Sequence, residues 1–85
     1  MEQVNKVRTI NNTLLSLKSS QRAKVIRIDT NDNLKIRKLN AFGITPGTYV
    51  TVIQKYPSVV IQVGFTQVAL DNEIASQIVV SEKVE

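Results

Sequence analysis

The 85-residue chain has no cysteine, no histidine and no tryptophan. Without cysteine there is no disulfide framework and no thiolate metal site. The lack of histidine also removes the usual ligands of zinc and of most non-haem iron centres. Asp29 with Asp32, and Asp71 with Glu73, are left as hard-cation ligands, but both pairs stand where helix caps are expected. Serine and threonine are plentiful, yet only Lys, Asp or Glu could serve as a base, and none stands in a recognisable nucleophile motif. The expectation is a non-enzyme with no catalytic residues, no cofactor and no metal site. No apolar run approaches the ~20 residues of a membrane-spanning helix. "MEQVNKVRTINN" also lacks the apolar centre of a signal peptide, so a cytoplasmic location is expected.

What is abundant is valine and isoleucine, whose β-branched side chains suit a pleated surface. Apolar residues make up 42% of the chain, too many for a disordered one, and the length fits one small domain. The net charge of +4 is unevenly placed: residues 1–38 carry nine basic side chains against three acidic ones, whereas residues 39–85 carry two against four. A basic half of this kind can face nucleic acid, an anionic membrane or an acidic protein surface, or simply solvate the domain.

Residues 1–12 lack clear periodicity and read as a loose leader, residues 13–81 as the folded domain, and 82–85 as a tail. "TLLSLKSS" sets three leucines before a polar turn. "RAKVIRIDT" alternates as a strand near 22–29, with Ala23, Val25 and Arg27 on one side. "TNDN" then offers Asp32 or Asn31 as a cap for a helix over about 32–42. On that helix Ile36, Leu39 and Phe42 make the apolar face, with Leu34 near its edge, while Lys35, Arg37 and Lys38 fall mostly elsewhere. Val50 and Val52, then Val59, Ile61 and Val63, then Val68 and Leu70 mark further strands, with a bulge or bend at Gly64. "DNEIASQ" reads as a helical turn over about 71–76, and Ile78 and Val80 close the core. Short strands around a small core tend to curl so as to hide their edges. The expected fold is mainly β, a small SH3-like barrel with one inserted helix.

"RKLNAFGITPGTYVTV" concentrates Gly43, Pro46 and Gly47 beside basic residues. A P-loop needs two glycines with four residues between them, then lysine. Here three residues separate them, no lysine follows, and Pro46 removes an amide that a phosphate would need. The stretch reads instead as a helix end closed by Gly43 and a Pro46-Gly47 turn into a strand. Aromatics that could stack on bases are few. Phe42 reads as core, and Tyr49, Tyr56 and Phe65 do not cluster in sequence with the basic residues, so no nucleic-acid partner is expected.

Over about residues 13–81 the order Leu39, Phe42-Gly43-Ile44, Pro46-Gly47, Val50, Val52, Pro57, Val63-Gly64, Ala69-Leu70, Ala75, Ile78 and Val80 resembles the FeoA family, ferrous iron transport protein A. The resemblance makes Leu39, Gly43, Pro46, Gly47, Gly64 and Leu70 the structural motif. It implies an SH3-like barrel and a regulatory role beside FeoB, the membrane ferrous iron permease with a cytoplasmic GTPase domain. Lys35, Arg37 and Lys38 on the helix are the expected contacts to that partner. Three features depart from the family pattern: the opening turn "KSSQ" where a glycine is usual, a short loop at "KYPSVV", and Asp71 where a basic residue is common. FeoA-like domains also close metal-dependent repressors, which leaves a detached relative of that domain, or a nucleic-acid-binding barrel, as alternatives. Exposed barrel edges could support a homodimer.

Overall fold

The computed structural model describes residues 12–81. The chain runs β1 (Asn12–Thr13), a 3₁₀ turn (Leu14–Ser16), β2 (Arg22–Ile28), α1 (Asn33–Ala41), β3 (Tyr49–Gln54), β4 (Val59–Val63), β5 (Thr66–Leu70), α2 (Asn72–Gln77) and β6 (Ile78–Val80). The leader expected over 1–12 lies outside the described residues except for Asn12, which is in β1; the tail over 82–85 lies outside them too. All pairings are antiparallel, in the order β1-β6-β2-β3-β4-β5. The fold is an SH3-like barrel, mainly β, with two helices.

β2 turns the sheet into a barrel. Its first half, Arg22 to Lys24, pairs with β3, and its second half, Val25 to Ile28, pairs with β6. The register slips between Val25 and Arg27. Such a bulge bends a strand and resets its alternation. This corrects the placing of Arg27 with Ala23 and Val25: those two are buried, but Arg27 is exposed, as is Ile26 on the opposite side. β3, β4 and β5 hold their alternation across the core. Val50, Val52, Val59, Ile61, Val63, Val68 and Leu70 all face inward. Leu14, Ile44, Ile61 and Ile78 are the largest fully enclosed side chains, and no polar residue is buried among the described residues. The leucines of "TLLSL" serve as a plug: Thr13 Oγ1 accepts from Leu15 N–H at 3.2 Å and sets the 3₁₀ turn, which buries Leu14 and Leu17. The half-buried Lys55 donates to the Leu15 carbonyl at 2.7 Å and pins this plug to the end of β3.

Both helices are set by local chemistry. Asp32 Oδ1 accepts from Leu34 and Lys35 N–H at 3.0 and 3.3 Å, and Asp71 Oδ1 accepts from Ile74 N–H at 2.7 Å. These bonds satisfy first-turn amides that have no partner within the helix. At the other end of α1, Gly43 has φ +86°. Its N–H reaches Asn40 O at 2.9 Å and Ile44 N–H reaches Leu39 O at 3.0 Å. This is the Schellman pattern, completed by the apolar pair Leu39 and Ile44, both buried. Thr48 N–H to Thr45 O at 3.0 Å closes the next turn around Pro46 and Gly47, the latter with φ +95°. Gly64, with φ +59°, opens the two-residue hairpin between β4 and β5. Among the described residues no helix is long and apolar enough to cross a membrane.

Candidate partner-docking groove

α1 lies alongside β5 and runs against it. Lys35, near the start of α1, reaches Glu73 just beyond β5, with Nζ 3.6 Å from the carboxylate. Gly43, at the helix end, sits against Val63, just before the β5 hairpin. Between helix and strand lies a groove of about 470 Å³. Leu39, Val68 and Leu70 form its floor, while Leu34 and Phe42 stand at its margin. Leu34 is 71% exposed and Phe42 44% exposed. The expectation that Phe42 is core is therefore corrected, and so is the apolar face assigned to α1, of which Leu39 alone is buried.

Helical geometry explains the asymmetry. At ~100° per residue, Ile36 and Phe42 lie about 60° to either side of Leu39. Lys35, Lys38 and Leu34 fall on the Phe42 side at roughly 40°, 100° and 140°, whereas Arg37 is about 160° away. Leu39 points into the barrel, so one flank of the helix becomes a groove wall with its own two cations. Of the three basic residues expected to meet a partner, Lys35 and Lys38 line the groove and Arg37 does not. Lys35 is paired with Glu73. Lys38 is exposed and has no acidic partner among the described residues. The groove thus presents an apolar floor with Lys38, which has no ion-pair partner, on its helix wall and Asp71, the cap of α2, on its lining.

A second cluster lies on the outer face of the sheet. Lys24 is directly opposite Tyr49 in the β2–β3 register, and Arg22 is diagonal to it. The Arg22 guanidinium sits 4.5 Å from the Tyr49 ring centroid and the Lys24 ammonium 5.9 Å from it, both within cation–π range. Basic residues and an aromatic that are separate in sequence are therefore joined in space. The strand register, not the spacing along the chain, carried that signal. Both acidic pairs weighed as cation ligands include a helix cap, Asp32 and Asp71, and Glu73 is taken by Lys35. No group of three or more acidic, His or Cys side chains gathers among the described residues.

The FeoA domain family matches residues 12–82, nearly the whole chain. The chain belongs to the FeoA family. A candidate Fe(2+) transport protein A from Leptolyngbya boryana is 38% identical over 69 residues, covering 80% of this chain and 84% of that one. A FeoA from Stenotrophomonas maltophilia, solved in complex with zinc and named a procaryotic SH3 domain protein, is 29% identical with a TM-score of 0.73, over 82% of this chain and 89% of the other. The IdeR of T. acidophilum, at 21% identity, shares the fold with a TM-score of 0.79 over 91% of this chain but only 36% of its own length. The FeoA fold therefore occurs both alone and as one part of a longer chain.

Proposed function

We propose that this FeoA-family chain is a non-catalytic accessory protein of Fe(2+) transport. In this reading it works in the cytoplasm, docking on the GTPase-bearing part of a FeoB-type iron permease. The family assignment supports the transport role. The groove beside α1, with its exposed apolar margin and the unpaired Lys38, is the observation that supports docking. Apolar surface that a monomer leaves open beside a charge is the usual form of an interaction site. The test is retention of the chain on the immobilised cytoplasmic part of the permease. Lys38→Glu should weaken binding about tenfold, a loss of ~1.4 kcal/mol. Arg37→Glu, on the far side of the helix, should leave it unchanged. Equal losses from both variants would count against the groove, and no retention of the parent chain would count against the permease as partner.

One observation favours a second reading. Tyr49 beneath Arg22 and Lys24 is the kind of contact that holds single-stranded nucleic acid. Its sign would be oligonucleotide binding that falls steeply with salt and is lost in Tyr49→Ala.

A further inference from the structure

The groove runs along a strand edge. Gln67, Val68, Ala69 and Leu70, four consecutive residues, line it, whereas a cleft over one face of a pleated strand meets every second residue. The register shows which backbone groups point into it. Val63 and Thr66 flank the two-residue Gly64-Phe65 loop and pair with each other. Gly64 has positive φ and Phe65 does not, which fits a type II′ turn. In such a hairpin the flanking residues exchange hydrogen bonds. Alternation then makes Ile61–Val68 and Val59–Leu70 hydrogen-bonded pairs as well. Gln67 and Ala69 fall between them, so their N–H and C=O groups turn away from β4 and into the groove.

This edge lacks the usual protections. β1, the other edge of the sheet, is two residues long. β5 is five residues long, carries no charge and no proline, and pairs with β4 without a bulge. Edges of that kind recruit another strand unless something covers them. α1 stands beside this edge but leaves the groove open between them.

We propose that the free edge of β5 takes an extended peptide segment as an added strand, with the chemistry of alternating apolar and acidic residues. This deepens the docking reading above and rests on it for the identity of the partner. The apolar side chains enter between Phe42, Leu39 and Val68, and an acidic side chain meets Lys38. A second copy of this chain fits less well, because pairing β5 with β5 brings Lys38 of both molecules to one seam. An edge-bound strand uses backbone hydrogen bonds for affinity and side-chain pockets for selection, so Gln67 and Ala69 supply the first and Lys38 the second.

The experiment follows backbone amide exchange in the full chain. The chain is measured free, with the cytoplasmic GTPase-bearing part of the permease, and with a capped octapeptide alternating valine and glutamate. A peptide with lysine in place of glutamate is the control. Exchange at Gln67 and Ala69 should slow about tenfold or more with the permease part and with the glutamate peptide, and stay unchanged with the lysine peptide. Ala69→Pro, which removes one outward amide and no β4 bond, should abolish the effect. Lys38→Glu, a surface change that keeps the fold, should reverse the preference between the two peptides. Binding of the permease part without slowing at these two amides would overturn the edge pairing and leave the docking reading intact. Slowing with the glutamate peptide alone would sustain the edge and overturn the permease as partner. Failure of both to slow exchange, slow exchange already present in the free chain, or slowing that grows with the chain's own concentration would overturn the proposal.

Discussion

β4 and α1 use apolar residues in opposite ways. The five residues of β4 bury Val59, Ile61 and Val63, while the nine residues of α1 bury Leu39 alone. The pleat stacks alternate side chains on one face, so a strand inside a barrel commits its whole apolar set to the core. A short helix lying at the barrel's side meets it along a single line of contact, and the side chains 60° or more from that line stay partly or fully exposed. Two caps and one buried leucine hold α1, and the cost of that arrangement is an open groove. The region that makes the barrel stable and the region that leaves a surface for a partner are therefore different elements.

The comparison is tested hardest at Ile61, which is fully enclosed in the middle of β4. Ile61→Ala should cost about 3–4 kcal/mol, read as a lower denaturation midpoint at unchanged slope. That is a large part of the roughly 4–12 kcal/mol expected for a domain of this size. Leu39→Ala should cost less, about 2–3 kcal/mol, because one side of the site opens on the groove and can relax. Exchange should sharpen the contrast. In Leu39→Ala the α1 amides should become labile while those of β4 stay protected, whereas Ile61→Ala should raise both together. Equal lability of α1 and β4 in both variants would mean that helix and barrel unfold as one unit.

Next in size is Gly43→Val. The added Cβ itself would meet Val63 Cγ1 at 3.5 Å, an ordinary contact, so the penalty comes from φ +86°. Holding a β-branched residue there should cost about 2 kcal/mol. A near-neutral midpoint would show that the Schellman closure does not hold α1 in place.

These elements also show what could be read before the fold was known. Asp32, Gly43, Pro46-Gly47 and Asp71 were legible because caps and turns are decided by a few neighbouring residues. The inward sets of β3, β4 and β5 were legible because alternation survives without interruption. Phe42 was misread because a helical wheel does not say which flank of Leu39 meets the barrel; that depends on where β5 lies. Arg27 was misread because a bulge resets alternation without marking the residues involved. Half of the groove, the β5 edge, and the stack on Tyr49 exist only once strands are in register. Lys35 and Lys38 could be singled out by charge, and separating them from Arg37 required the wheel and the strand together.

The smallest effect tests the one closure that lacks its glycine. Ser20 has φ +75°, the only positive φ at a non-glycine among the described residues. It stands in the Lys18–Gln21 turn, closed by Gln21 N–H to Lys18 O at 3.0 Å and tied to β3 by Ser20 N–H to Val52 O at 2.7 Å. The Gln21 side chain also accepts from Lys18 N–H at 2.8 Å. These three bonds hold the serine in a conformation that costs an L-residue about 1–2 kcal/mol. Glycine would remove that cost but would loosen the unfolded chain by roughly 0.5–1 kcal/mol. Ser20→Gly should therefore stabilise by about 0.5 kcal/mol, where Gly43→Val destabilises. Ser19→Gly is the control: its φ is not positive, so only the unfolded-state term acts and the midpoint should fall. A fall in both variants would mean that the turn's hydrogen bonds already offset the strain at Ser20, and that a glycine at this turn adds no stability of its own.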